Sequence, residues 1–241
     1  MRPKVLLFQA RDPEDRMREQ EHRCFVERTA LPADCIGTHD LLEGPPTLRE
    51  LRRFDALMVG GSGDFYVSKG DLPGSSRLFD LLLEVVETGH PTFASCFGYQ
   101  CLIEALGGKV VHDPGRTEVG TYRLTLTTEG RQDELFGCLP ESFQAQMGHK
   151  DRASRQPGVI PNLARSELCP YQALRIPGKP VWATQFHPEL DRVTNQERFE
   201  HYLDGYAAHM SETERREALS RFEESPEASS LLACFIDLVF G

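Results

Sequence analysis

The 241 residues predict a doubly wound α/β fold: a mostly parallel central sheet with helices on both faces, a small antiparallel extension and a helical tail at the C-terminus. Three observations predict it. Continuous apolar runs, at 4–8 and 55–59, have the pattern of parallel strands buried on both faces. Helical patterns fall between them at the spacing of βαβ units. A third apolar run, 91–95, ends abruptly on Cys96 and turns at once into a helix.

Taken in order, 4–8 is the first strand. Residues 13–28 are charged, with Met17, Cys24, Phe25 and Val26 interspersed, as in a helix lying on a sheet. Residues 35–42 hold a second strand of modest apolar content. Thr47-x-x-Glu50 matches a capping box and opens a short helix. The strand 55–59 runs into a Gly-rich segment, Gly60 to Asp64. Residues 65–75 are a long polar loop, readable as a connector or as a mobile lid. Residues 78–88 carry leucines and valines at helical spacing. The helix after Cys96 spans 97–106 and closes on Gly107-Gly108. Residues 109–111 are short and apolar, and 118–128 alternate in the manner of antiparallel strands with one wet face. Residues 143–151 supply another strand and turn. Residues 168–176 and 180–186 make a hairpin around Pro177-Gly178, and 195–209 a helix. In the tail, Ser211-x-x-Glu214 caps one helix and Ser225-Pro226 starts another. Leu231, Leu232, Phe235, Ile236 and Val239 share one face of that last helix, which suits packing on the chain's own body. The expected division is a domain over 1–210 and a helical extension over 211–241.

Composition narrows the function. A chain of this length buries about 70–75% of its unfolded surface and needs no disulfide or metal staple. The net charge of −10 and the lack of a Lys/Arg run speak against nucleic acid or an anionic membrane as partner. Seven cysteines, an odd number at irregular spacing, do not suit a secreted disulfide framework. No Cys-x-x-Cys and no His-Glu-x-x-His occurs, so no metal site is expected. The apolar stretch 5–8 is too short for a signal peptide, and no run approaches the roughly 18 apolar residues of a membrane span. The expected compartment is the cytoplasm.

The chemistry centres on Cys96. A tight strand-to-helix turn crowds the backbone and needs small side chains, which Ala94 and Gly98 provide two places either side. The turn lifts the thiol from the sheet and sets it at a helix N-terminus, which favours the thiolate. A structural reading of Cys96 as a buried core cysteine stands beside this one. A second apolar strand ends on Gln185-Phe186-His187-Pro188-Glu189. His187 is suited to take a thiol proton, and Glu189 to fix the tautomer and steady the imidazolium. The Gly-rich segment carries no P-loop and no full Gly-x-Gly-x-x-Gly, so nucleotide binding has little support.

The elbow, the Gln-Phe-His-Pro-Glu run and Val59-Gly60-Gly61-Ser62-Gly63-Asp64 together resemble the triad-type (class I) glutamine amidotransferase domain, in the family's order and across residues 55–190. The likeness is to stand-alone amidotransferases such as the glutaminase part of GMP synthetase. One departure is Ala94, where the family usually has Gly. The resemblance implies Cys96, His187 and Glu189 as catalytic residues, and Gly63 and Phe97 as amide donors to the oxyanion. It places Gly61, Gln100, Gly148 and His149 at the substrate pocket. It implies glutamine as substrate and calls for no cofactor. No ATP pyrophosphatase signature accompanies the domain. Three readings therefore stay open: the glutaminase of a two-chain amidotransferase with a separate synthetase subunit, a free-standing γ-glutamyl hydrolase or peptidase, and a non-catalytic binding or regulatory module.

Overall fold

A computed structural model describes residues 2–202 and 212–241. Strand β1 (Val5–Ala10) lies between β2 (Ile36–Asp40) and β3 (Ala56–Ser62), parallel to both. Strand β4 (Thr92–Ser95) pairs in parallel with β3 on one side and with β11 (Val181–Thr184) on the other. From β11 the same sheet continues antiparallel through β10 (Ala173–Arg175), β9 (Asn162–Arg165), β6 (Glu118–Leu126) and β7 (Ser142–His149). A separate two-stranded ribbon joins β5 (Lys109–His112) to β8 (Asp151–Arg155). The predicted class holds, with parallel strands in one half of the sheet and antiparallel strands in the other.

Its physical cause is visible in β1. Val5 and Leu7 face one core layer while Leu6 and Phe8 face the other, so both faces of the strand are buried and the sequence reads as an unbroken apolar run. Helix α1 (Met17–Thr29) contributes Phe25 to the first layer. Helix α2 (Leu48–Leu51) is opened by the capping box at Thr47 and Glu50. Helix α3 (Ser75–Thr88) packs Leu78, Leu81, Leu82 and Val85 into the second layer, where α4 (Phe97–Ala105) adds Leu102 and Ile103. The short helix α5 (Thr128–Gln132) follows β6.

Helix α6 (Arg192–His201) starts three residues before the predicted 195. Asp191 and Thr194 cap it reciprocally, Asp191 Oδ1 accepting the Thr194 N–H at 2.8 Å and Thr194 Oγ1 the Asp191 N–H at 2.9 Å. The predicted continuation to 209, and the cap at Ser211, lie outside the described residues. Strands β8 and β9 were not separated by the sequence pattern, being short and part polar.

At the C-terminus stand α7 (Glu212–Leu219), α8 (Pro226–Ser229) and α9 (Leu231–Phe240). Leu231, Leu232, Phe235 and Ile236 of α9 are buried in the first core layer. The Phe235 ring meets Phe93 at 5.7 Å and Trp182 at 5.9 Å, both edge-on. Each such side chain contributes roughly 1.5–3 kcal/mol by leaving water, so α9 is part of what holds β4 and β11 in place. Those are the two strands that deliver Cys96 and His187.

Candidate active site

Cys96 follows β4 directly and caps α4, with φ 49° and ψ −100°. A non-glycine residue at positive φ is strained by about 1–3 kcal/mol and persists only where its surroundings fix it. Here they do: the Cys96 N–H donates to Thr184 O at 2.8 Å, and Cys96 O accepts the Gln100 N–H at 3.0 Å. Gly98 is required by crowding. A Cβ there would stand 2.7 Å from Val59 Cβ and 2.8 Å from Val59 O. Ala94, the departure from the usual glycine, is fully buried between Val59 of β3 and Ala183 of β11, and its methyl fits. Cys96 as a whole residue is 7% exposed.

His187 comes three residues after β11. Its N–H donates to Gln146 O at 2.9 Å, which ties it to β7. Its Nδ1 lies 2.7 Å from Glu189 Oε1. Burial opposes charge on the ring, but Glu189 and Cys96 outweigh it and raise His187 to about 9. Glu189 is likewise disfavoured by burial, and His187 with Arg198 hold it down at about 2. The Gln185 amide lies 3.8 Å from Cys96 Sγ. Thiol, imidazole and carboxylate are thus in series and almost fully enclosed, an arrangement suited to nucleophilic attack with proton transfer.

The remaining predicted residues surround this series. Gly61 backs the imidazole: a Cβ on it would come to 3.0 Å from His187 Cε1. The Gly61 N–H donates to the buried Glu21 Oε1 at 3.1 Å, and the Gly63 N–H to Ala10 O at 3.2 Å. Phe97 opens α4, where the first N–H groups have no partner within the helix. Gln100 Nε2 donates to Asp151 O at 2.9 Å and to Gln185 Oε1 at 3.3 Å. Gly63, Phe97, Gln100, Gly148 and His149 line one narrow cleft with Cys96, Tyr66 and Asp151. His149 is buried, and both its nitrogens face protein atoms: Nδ1 is 3.0 Å from Asp151 O and Nε2 3.0 Å from Glu118 Oε2. Its side chain is part of the wall. A larger hollow of about 650 Å³, lined by Asp12, Glu14, Asp15, Asp64, His201 and Tyr202, contains neither Cys96 nor His187.

Several supporting residues were not singled out in the sequence. Arg198 of α6 lies 3.4 Å from Glu189 Oε1, and its Nε and Nη2 donate to Gln20 Oε1 at 3.1 and 3.0 Å. Glu21 accepts from Arg11 Nη2 at 3.1 Å and from Gln9 Nε2 at 3.1 Å beneath the glycine loop. Glu118 accepts from Gln172 Nε2 at 2.6 Å beside His149. These are charged groups on apolar faces, a signal present in the sequence but without an indication of partner. Glu118, His149 and Cys169 also place ligand-type atoms within 4.8 Å of one another. The hydrogen bonds just given account for both His149 nitrogens and for Glu118 Oε2, while the buried Glu118 Oε1 has no hydrogen-bond partner among the described residues.

Comparison with known proteins places the chain in a family. The family model described as "Glutamine amidotransferase class-I" matches residues 47–201. GMP synthase [glutamine-hydrolyzing] of Streptococcus pneumoniae is 34% identical over 145 residues, covering 59% of this chain and 26% of that protein. The chain therefore spans about a quarter of the length of that relative. A glutamine amidotransferase from Thermotoga maritima superimposes with a TM-score of 0.72 at 20% identity over the whole of both chains. Another, from Methylobacillus flagellatus, does so with a TM-score of 0.68 at 20% identity, covering 99% of this chain and 90% of its own. No helix among the described residues is long and apolar enough to cross a membrane. With well over half of its length matched by the family model, the chain belongs to the class-I glutamine amidotransferase family.

Proposed function

We propose that the chain hydrolyses the γ-carboxamide of glutamine through a thioester on Cys96. The observation that carries this reading is the enclosed grouping of Cys96, His187 and Glu189, all buried, with His187 Nδ1 2.7 Å from Glu189 Oε1 and Gln185 Nε2 3.8 Å from Cys96 Sγ. Cys96 Sγ attacks the carboxamide carbon as its proton passes to His187. The tetrahedral oxyanion is met by the Phe97 N–H at the start of α4 and by the Gly63 N–H, which exchanges Ala10 O for the oxyanion. Collapse breaks the C–N bond, and His187 returns the proton to the departing ammonia. Water, deprotonated by His187, then opens the thioester and releases glutamate. Glu189 holds the ring and steadies its positive charge, and Arg198 behind it keeps the carboxylate ionised.

The named activity of the Streptococcus pneumoniae relative, glutamine hydrolysis within GMP synthase, supports glutamine as substrate. It also makes a synthetase subunit a natural acceptor of the ammonia. The deciding experiment is ammonia release by the purified chain against a panel of γ-glutamyl compounds that includes glutamine, with and without cell extract, followed by mass spectrometry of the Cys96 peptide. Glutamine turnover with a trapped γ-glutamyl adduct on Cys96 is expected. Turnover of other γ-glutamyl amides but not of glutamine would move the chain to the hydrolases, and no turnover in either condition would leave the binding-module reading.

A further inference from the structure

The same pocket is closed on another side by polar contacts that the hydrolysis does not use. The segment 65–75 leaves β3, makes one tight helical turn at Val67–Lys69 and returns to α3. It is tied down at Asp151, the first residue of β8, whose side chain is 4% exposed. Asp151 Oδ2 accepts the Ser68 N–H at 2.9 Å, and Oδ1 accepts Ser68 Oγ at 2.9 Å and lies 2.9 Å from His112 Nδ1. The His112 ring in turn meets Tyr66 edge-on at 5.2 Å. The segment is shaped from within by the Tyr66 N–H donating to Asp71 Oδ1 at 2.7 Å.

The backbone of Asp151 serves the opposite wall. Its carbonyl accepts Gln100 Nε2 at 2.9 Å and lies 3.0 Å from His149 Nδ1. One residue thus joins the segment that carries Phe65 and Tyr66 to the side chain that sits one helical turn past Cys96, and all of them line the cleft. A buried carboxylate is stable only while its donors are in place. Two of the three donors to Asp151 come from Ser68, so raising the segment would strand the carboxylate. That makes the tied-down state the favoured one, and it couples the segment to the strand that fixes Gln100.

We propose that Asp151 is a positioning residue that straps residues 65–75 across the Cys96 pocket, so that closure of the strap and the seating of Gln100 are linked. The substrate side of this proposal rests on the reading that the pocket takes glutamine; the strap itself does not. In the full chain, Asp151→Asn puts an N–H where an acceptor is needed, and His112→Phe keeps an aromatic edge for Tyr66 while removing the nitrogen. Hydrogen exchange read by mass spectrometry should speed up about tenfold or more at 66–69 in Asp151→Asn and less in His112→Phe. Alkylation read on the Cys96 peptide should rise more for a bulky maleimide than for iodoacetamide. With glutamine, KM should rise about tenfold while kcat falls by less than about threefold.

Exchange and reagent selectivity within about twofold of the unaltered chain would overturn the strap, even with glutamine turnover intact. A chain inert toward glutamine whose strap still opens in Asp151→Asn would support the strap and remove the glutamine reading instead. Should Asp151→Asn fail to fold, Ser68→Ala and His112→Phe decide by the same two measurements, faster exchange at 66–69 supporting the strap and unchanged exchange overturning it.

Discussion

The two walls of the pocket are built differently. The Cys96 wall is local: β4, Cys96 and α4 are contiguous, and its shape comes from one strained residue and one glycine pressed on Val59. The His149 wall is long-range: it needs β6 and β7 in register, with Glu118 opposite His149, and it needs Asp151 to meet Gln100 from 51 residues away. The first is held by backbone sterics and the second by buried polar pairs. Sterics fix a position within tenths of an ångström and tolerate little. Polar pairs hold whole segments together and fail as a unit when one member goes.

The largest effect belongs to the local wall. Cys96→Ala should lower amide hydrolysis by at least about 10⁴-fold, as loss of a nucleophile does, while circular dichroism and Tm stay close to those of the unaltered chain. Retained turnover would remove Cys96 from the chemistry. A diazo-ketone analogue of glutamine should label Cys96 in preference to the other six cysteines, of which Cys24, Cys101 and Cys169 are also buried.

Next comes the long-range wall. Glu118→Ala leaves His149 and Gln172 without their shared acceptor, and loss of one partner from a buried pair costs about 3–5 kcal/mol. Chemical denaturation should show that loss, and activity should fall with it although Glu118 touches no reacting atom. A loss below about 1 kcal/mol would mean that the wall is held by strand pairing alone.

Gly98→Ala tests the steric side at smaller scale. Its methyl would meet Val59 Cβ at 2.7 Å and Val59 O at 2.8 Å, with backbone on one side that cannot yield. Overpacking of this kind costs about 1–3 kcal/mol, and Cys96 should lose reactivity as α4 is pushed away. An unchanged alkylation rate would show that the elbow has room to spare.

The same contrast explains how much could be read from the sequence. The elbow was legible because its parts are neighbours: an apolar strand, Cys96, small residues two places either side, then a helical pattern. His187 and Glu189 were legible for the same reason, as a strand end with Pro188 between them. The strand β1 and the capping box at Thr47 were equally local. Arg198, Gln20, Glu21 and Glu118 were not, because nothing near them in the chain says which buried partner will satisfy them. Asp151 was passed over although it stands two residues from His149, since a carboxylate in a turn looks like any solvated one until Ser68 and His112 arrive from distant segments. The antiparallel half was under-read for a related reason: short strands such as β9 take their identity from the strands on each side rather than from periodicity.

The smallest effect separates charge from shape at the point where the two walls meet. His187 is raised to about 9 by Glu189 and Cys96 against the opposing effect of burial. A group whose folded value lies above its unfolded value of about 6.5 adds stability that is full below pH 6.5 and disappears as pH climbs through 9. Glu189, lowered to about 2, does the reverse: it adds stability above about pH 4.3 that is lost as pH falls toward 2. Cys96→Ala removes one of the two groups that raise His187 and leaves Glu189 in place. Its unfolding free energy should therefore decline less between pH 6.5 and 9.5 than that of the unaltered chain, by about 1 kcal/mol. The two should run parallel between pH 4.5 and 2, where Glu189 governs in both. The measurement is urea denaturation of both proteins at matched ionic strength across the two windows. Parallel curves on the alkaline side would mean that Glu189 alone raises His187 and that Cys96 adds nothing to it.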